Sequence, residues 1–185
     1  MNAIDTYIFY WINSHHTPVA DWLLWGFSQW WSWMAVLLLV VVFVTLRREP
    51  RRSWVVILGI ALCFLFADQL SANIFKPGFC RMRPCHALPD VRMFHTHCGG
   101  QYGFISSHAA NVTACATFLA LRYRNRLLTA LLALWCVLVC YSRPYLGKHY
   151  PGDVVVGAMV GFALGALVCF LTAKLEQRLA RRAKA

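Results

Sequence analysis

The sequence predicts an all-α fold, a polytopic membrane helical bundle of about five spanning helices preceded by interfacial N-terminal helices. Of the 185 residues, 59% are hydrophobic and 14% are charged, whereas a soluble domain is about half apolar and about a quarter charged. The apolar residues lie in long uninterrupted blocks, several close to the roughly twenty residues that a helix needs to cross a bilayer. Basic residues cluster between alternate blocks, as expected for cytoplasmic connections.

The expected spans follow from the lengths of these blocks. Trp54 to Phe75 and Val154 to Ala173 are long enough to cross a bilayer directly. Gln29 to Leu46 is interpreted as the first span and Phe104 to Leu121 as the third. Leu127 to Tyr141 is short, but its flanking residues can extend it to span.

Residues 1–28 are expected to form the interfacial N-terminal segment. This segment is rich in Tyr, Phe and Trp, which favour the membrane interface because one end of the ring system is apolar and the other end is wet. Residues 174–185 are expected to form a basic cytoplasmic tail that continues the last helix. The whole chain, residues 1–185, is expected to be one membrane-embedded domain.

Basic residues set the predicted orientation, because cytoplasmic loops of membrane proteins are enriched in Lys and Arg. The other helix ends then lie at the outer face, so the polar segments between them face the periplasm or exterior. The membrane-buried architecture and the short cytoplasmic turns favour a multi-pass protein of the bacterial inner membrane. The net charge of +11 does not indicate a nucleic-acid partner, because no basic stripe alternates with aromatic residues on a soluble face. The basic residues at the cytoplasmic ends are Arg47, Arg48, Arg51, Arg52, Arg122, Arg124, Arg126, Lys174, Arg178, Arg181, Arg182 and Lys184.

Three polar segments at the outer ends of predicted helices contain residues suited to bind a phosphoryl group. Lys76, Arg83 and Arg143 can neutralise its charge, and Arg does so through a bidentate fork. Ser106 and the amides around Ser107 lie at a predicted helix N-terminus, where free N–H groups and the helix dipole favour an anion.

Two histidines and one carboxylate complete this set. His149 and Asp153 are four residues apart, so within one helical turn Asp153 could hold one ring nitrogen and present the other as a nucleophile. His108 could then protonate the leaving oxygen. Because positioned cations can stabilise the developing charge, this set predicts phosphoryl transfer without a metal or another cofactor.

The same segments resemble the signature of the type 2 phosphatidic acid phosphatase family. Its Lys-x6-Arg-Pro motif matches Lys76 to Pro84, and its Ser-Arg-x5-His-x3-Asp motif matches Ser142 to Asp153. The middle motif, Pro-Ser-Gly-His in the family, reads Ile105-Ser106-Ser107-His108 here, so Ser107 is expected to give its backbone N–H with less conformational freedom than glycine has.

The resemblance covers Trp54 to Ala173 and implies a helical core and a reaction that needs no metal. It also implies a phosphohistidine at His149 and an acid at His108. The phosphate pocket that it implies consists of Lys76, Arg83, Ser106, Ser107 and Arg143.

The leading functional hypothesis is hydrolysis of a lipid phosphate or diphosphate at the outer face. Undecaprenyl diphosphate, phosphatidylglycerophosphate, phosphatidic acid and lipid A phosphates are all candidate substrates. The alternatives are a lipid phosphotransferase that uses the same intermediate and a non-catalytic protein that binds or transports lipid phosphates. A haloperoxidase is disfavoured, because those members of the family are soluble and larger. The expected partners are the lipid substrate and membrane lipids, and the sequence leaves the oligomeric state open.

Cysteines and histidines share the hydrophilic loop after Lys76. On an oxidising side of the membrane two of its three cysteines could form a disulfide, and Cys85 with Cys98 is the preferred pair, which leaves Cys80 free. A zinc site with His86, His95 and His97 is an alternative, although the spacing matches no structural zinc pattern.

Asp68 and three basic residues near the motif segments are charged but have no assigned catalytic role. Asp68 lies in a spanning helix, where a carboxylate is costly unless it has a partner, and a structural role is preferred for it. Arg81, Arg92 and Lys148 could contact a lipid headgroup, but solvation in a loop explains them equally well.

Overall fold

The structure, a computed structural model, describes residues 3–48, 53–95 and 97–182. Among the basic residues expected at cytoplasmic ends, Arg51, Arg52 and Lys184 lie outside the described residues, as do the side chains of Arg47 and Arg48. The helices are α1 (Ala3–Ser14), α2 (Pro18–Ser28), α3 (Trp30–Arg48), α4 (Ser53–Gln69), a π-helical turn (Leu70–Phe75), α5 (Lys76–Phe79), α6 (Pro84–Ala87), α7 (Ser107–Tyr123), α8 (Arg126–Tyr145) and α9 (Pro151–Arg182).

The prediction of an all-α membrane bundle is confirmed. Within the described residues, three continuous helical segments are long and apolar enough to cross a membrane: residues 53–79, α8 and α9. Helices α2 and α3 meet at a bend of 65° and add a fourth crossing if they form one span. The expected third span, α7, has 17 residues, fewer than the roughly twenty that a spanning helix needs.

Helix α7 is the centre of the bundle, which explains why it can be shorter and less apolar than its neighbours. Ala109, Ala114, Cys115 and Phe118 on this helix are fully buried. Its environment is therefore other helices and not lipid, so small and weakly polar residues suit it better than a continuous apolar surface.

Glycines on α9 allow that helix to lie against α7. A Cβ atom on Gly161 would lie 2.3 Å from the carbonyl oxygen of Ala110, and one on Gly165 would lie 2.3 Å from that of Ala114. Small residues at such positions let two helix backbones approach closely in a membrane. The contact also brings the two helix N-termini together, where the Ser106 N–H donates to the carbonyl oxygen of Asp153 at 3.0 Å.

The N-terminal helices are tied to the loop between α6 and α7. Arg92 in this loop makes two hydrogen bonds to the carboxylate of Asp21 on α2, at 2.8 and 2.6 Å. The Tyr145 hydroxyl donates to the same carboxylate at 2.7 Å. Asn13 on α1 donates to the carbonyl oxygens of Arg92 and Tyr145 at 3.0 and 2.8 Å. Arg92 is therefore a structural residue in this fold and not a solvated loop side chain.

A disulfide closes part of the same loop. It joins Cys85 to Cys98, with the two Cα atoms 5.9 Å apart, and Cys80 is free and exposed. Cys85, His86 and Cys98 also hold the ligand atoms of the candidate zinc group. A metal there would need both cysteines as thiolates, so disulfide and metal exclude each other at this position.

Replacing Gly161 with Ala is expected to destabilise the protein, because the new methyl group must displace the Ala110 carbonyl. Overpacking of this kind typically costs about 1–3 kcal/mol. The matched control is Gly26→Ala on α2, where nothing lies within 4 Å of the new atom and a gain of about 1 kcal/mol in helix propensity is expected. Melting temperatures in detergent check this, and an unchanged or higher value for Gly161→Ala would contradict the packing described.

Candidate active site

The three motif segments identified in the sequence enclose one cavity of about 250 Å³ at the end of the bundle that carries the N-termini of α7 and α9. All the residues predicted for catalysis or phosphate binding line it except Ser106 and Asp153, which lie behind its wall. The lining residues are Trp33, Asp68, Lys76, Arg83, Ser107, His108, Asn111, Arg143 and His149.

A chain of hydroxyl groups holds Lys76 in place. Its ammonium group donates to the Ser107 Oγ at 2.8 Å, and this atom lies 2.5 Å from the Ser71 Oγ. Ser71 in turn donates to the carbonyl oxygen of Ile105 at 3.3 Å. Ser107, expected to give only a backbone N–H, therefore also positions a cation with its side chain. Ser71 lies in the π-helical turn directly before Lys76, and no sequence pattern had singled it out.

Ser106 is the N-cap residue of α7. Its side chain is fully buried, and its Oγ accepts from the Ala109 N–H at 3.5 Å as the N-cap. An N-cap of this kind fixes the first turn of a helix and the direction of its free N–H groups. The structure therefore places Ser106 behind the cavity, where it orients the helix that presents Ser107 and His108.

Arg83 lies between the loop and the nucleophile candidate His149. Its Nε donates to the carbonyl oxygen of Gly100 at 2.7 Å, and its Nη1 lies 2.7 Å from the His149 Nε2. Because a guanidinium group can only donate, Nε2 is the accepting nitrogen, and the proton of the neutral imidazole is on Nδ1. Burial lowers the pKa of Arg83 from its ordinary value, although a guanidinium group stays charged at physiological pH.

Arg143 is the most deeply buried cation of the cavity, with 2% of its surface exposed. Its Nη1 donates to the Ser28 hydroxyl at the end of α2. Its Nε has no hydrogen-bond partner among the residues that the structure describes. Buried polar groups are almost always paired, so this free donor indicates that a ligand oxygen completes the site.

His149 is a neutral base in this environment. It lies between α8 and α9 with 2% of its surface exposed. Burial, followed by the charges of Arg83 and Arg143, lowers the pKa of His149 well below its ordinary value of 6.5. Its Nδ1 lies 3.7 Å from an oxygen of Asp153, so the pair must approach by about 0.7 Å to form a hydrogen bond.

Asp153 is held by two donors other than His149. It is fully buried in the first turn of α9, where the helix dipole favours a negative charge. One carboxylate oxygen accepts from the Tyr150 N–H at 3.1 Å, and the other accepts from the Arg81 guanidinium at 2.6 Å. Two donors thus fix the orientation of the carboxylate that faces His149.

Arg81 is the most important residue that sequence reasoning left unassigned. Besides Asp153, its guanidinium binds Asp5 of α1 at 2.5 Å and lies 4.1 Å from the centre of the Tyr150 ring. Asp5 also accepts from the Gly152 N–H at 2.8 Å. The only signal in the sequence was Asp5, an isolated acid in an aromatic segment. Asp5 and Arg81 are 76 positions apart, so no local pattern connects them.

His108 lies in the first turn of α7 and lines the cavity. Its ring centre is 5.4 Å from that of Trp33 on α3, so the first expected span also contributes to the site. His108 and His149 both line the one cavity, as required of an acid and a nucleophile that act on opposite sides of a phosphorus atom.

A helical membrane bundle with three cations and two histidines around one cavity defines an integral-membrane phosphatase. A model of the PAP2 superfamily matches residues 54–176. The chain belongs to the PAP2 superfamily and is a lipid phosphatase, which confirms the resemblance and the class of enzyme predicted from the three motifs.

The relatives of the chain agree with this membership. It is 33% identical to a lipid A 4′-phosphatase of Bacteroides thetaiotaomicron, over 97% of this chain and 81% of the relative. The crystal structure of Aquifex aeolicus LpxE is similar with a TM-score of 0.70 and 26% identity, over 90% of this chain and 95% of that one. A transmembrane PAP2-type phosphatidylglycerolphosphate phosphatase from Bacillus subtilis has the same fold, with a TM-score of 0.66 and 22% identity over 96% and 88%.

Replacing Arg81 with Met is expected to lower kcat about 10- to 100-fold with little change in KM, because Asp153 loses the donor that orients it while the cavity cations remain. Arg81→Lys should restore part of the turnover. The matched control is Arg92→Met, which removes an ion pair with Asp21 outside the cavity and should lower the melting temperature without the same fall in kcat. Steady-state kinetics of phosphate release check this, and equal losses of kcat in both Met variants would contradict a positioning role.

Proposed function

We propose that this protein hydrolyses a phosphate monoester of a lipid, without a metal ion, through a phosphohistidine at His149. The observation that carries the proposal is a neutral, buried His149 in a cavity with three cations, none of which forms a salt bridge within the described part of the chain. Asp68 is the one acid among the lining residues, so the cavity carries an excess of positive charge that a phosphoryl group would balance while lying next to the imidazole.

Binding of the phosphoryl group would also free the nucleophile. In the structure Arg83 donates to the Nε2 lone pair of His149. A substrate phosphoryl group competes for the same donor, because a charged oxygen is a better acceptor than an imidazole nitrogen. Once Arg83 binds the phosphoryl oxygens, Nε2 is free to attack phosphorus.

In the first step a bond forms between Nε2 and phosphorus, and the bond between phosphorus and the lipid oxygen breaks. His108, which must enter this step protonated, gives its proton to the leaving lipid oxygen, while Asp153 stabilises the positive charge on the His149 ring. In the second step His108 takes a proton from a water molecule that attacks phosphorus. Inorganic phosphate leaves, and both histidines return to their starting states.

A saccharolipid phosphate of the lipid A type is the preferred substrate class. The lipid A 4′-phosphatase of Bacteroides thetaiotaomicron is similar over nearly the whole chain, including the N-terminal helices that precede the residues matched by the family model. Those helices carry Asp5 and Ser28, which contact Arg81 and Arg143. The similarity therefore extends to elements that support the site.

Two features support a site at the outer face of a bacterial inner membrane. The Cys85–Cys98 disulfide lies in the loop next to Arg83, and disulfides persist in oxidising compartments such as the periplasm. The opposite end of α7 carries three arginines: Arg122, Arg124 and Arg126. The positive-inside rule places such a basic cluster on the cytoplasmic side of the membrane.

Replacing His149 with Ala is expected to abolish release of phosphate from a lipid A-type phosphate in excess EDTA. His108→Ala should lower kcat by about 10²- to 10⁴-fold, the usual contribution of a general acid. His16→Ala, in the exposed turn between α1 and α2, is the matched control and should keep wild-type turnover. Activity that persists in His149→Ala, or that EDTA removes from the wild type, would contradict the proposal. A phosphorylated acceptor in place of inorganic phosphate would indicate the phosphotransferase alternative.

The pH dependence of kcat/KM is expected to be set at its basic end by Lys148. Burial and the charges of Arg143 and Arg83 lower the pKa of Lys148 to about 8. Lys148 is therefore charged below this pH and neutral above it, so attraction for the phosphate dianion weakens as the pH rises through about 8. We expect a few-fold fall in kcat/KM there. Lys148→Arg should remove this fall because Arg stays protonated, and a fall that persists in Lys148→Arg would exclude the assignment.

A further inference from the structure

Part of the cavity lies beyond the residues that the phosphoryl mechanism uses. Asp68 precedes Lys76 by eight residues on the same continuous helical segment, which places it about two turns further into the bundle. Asn111 follows His108 by three residues on α7, roughly 4.5 Å further in. Both residues line the cavity, so the cavity continues from the cations towards the membrane interior.

Both residues offer acceptor groups that lack a donor. Asp68 makes no hydrogen bond or ion pair with any residue that the structure describes, and its side chain is exposed. Asn111 is 5% exposed, and its Oδ1 has no partner within the same described residues. A charge inside a spanning segment is costly and is found mostly where it faces a polar ligand or a water-filled cavity. A buried amide oxygen without a donor is similarly unfavourable.

The cavity has cations at its outer part and acceptors further in, which matches the arrangement of groups in a lipid phosphate. In such a lipid the phosphate is outermost, the group that carries the ester follows, and the hydrocarbon tails lie deepest. With the phosphate at Lys76 and Arg83, the group that carries the ester would extend towards Asn111 and Asp68, which line the same cavity. A carboxylate accepts hydrogen bonds and cannot donate them, so it recognises a hydroxyl or an amide N–H.

We propose that Asp68 and Asn111 form an acceptor subsite for a hydroxyl or amide N–H on the headgroup that carries the phosphate. This subsite selects phosphorylated amino-sugar lipids over phosphates of polyprenols, which have no such donor next to the ester. The inference rests on the proposed function and names the residues that determine the substrate class. It assigns Asp68 to substrate recognition, in place of the structural role preferred from the sequence.

The test compares two substrates in detergent micelles with the full chain: a diacylated glucosamine 4-phosphate, which has a free hydroxyl and an amide N–H, and undecaprenyl phosphate. The variants are Asp68→Leu and Asn111→Leu, and the matched control is Gln69→Leu, an exposed polar residue next to Asp68 that does not line the cavity. The quantity measured is the ratio of kcat/KM for the sugar lipid to kcat/KM for the polyprenyl lipid. Inhibition by orthovanadate reports the integrity of the phosphate pocket in each variant.

We expect the ratio to fall about 10- to 100-fold in both cavity variants, the range for a hydrogen bond to a charged or buried acceptor. The ratio in Gln69→Leu should equal that of the wild type, and orthovanadate should inhibit every variant at similar concentrations. An unchanged ratio, or loss of orthovanadate inhibition in both cavity variants, would overturn the subsite and leave the proposed function standing. Wild-type protein that hydrolyses neither lipid would overturn the proposed function and this inference with it.

Discussion

Three positive charges that face one cavity with a single acid, Asp68, and no salt bridge in the described ranges are the constraint on which the rest of this structure depends. Lys76, Arg83 and Arg143 all line the cavity, and none of them forms a salt bridge in the described ranges. Removing an unpaired charge from water costs several kcal/mol, and like charges add repulsion. The free protein therefore holds an arrangement that is unfavourable in itself, and other contacts must stabilise it.

Those contacts come from the helix packing and from the N-terminal segment. The glycines of α9 let it contact α7 closely, which fixes the helix ends that carry His108 and Asp153. Asp5 and Asp21 on the N-terminal helices pair with Arg81 and Arg92. The acids of this segment thus bind loop arginines outside the cavity, and the cavity cations remain available for a ligand. Helices α1 and α2, predicted as interfacial elements, also position the site.

The local parts of the site could be predicted from the sequence, and the distant contacts could not. His149 and Asp153 are four residues apart, and this spacing predicted that they lie close together, although His149 precedes α9, which begins at Pro151. The bond between Arg143 and Ser28 joins residues 115 positions apart, and no pattern along the chain connects them. The predicted span over Phe104 to Leu121 begins at Ser107 in the structure, because the buried Ser106 caps the helix there. Apolar character alone did not reveal that boundary.

The melting temperature of the protein with and without orthophosphate, in EDTA, tests the unpaired cations most directly. A ligand that binds only the folded state raises the melting temperature. Wild-type protein should therefore melt at a higher temperature as orthophosphate is added. Arg143→Met should melt at or above the wild-type temperature without orthophosphate, because it removes a buried charge, and should gain little when the anion is added. A wild-type melting temperature that does not respond to orthophosphate, or an equal response in Arg143→Met, would contradict the account.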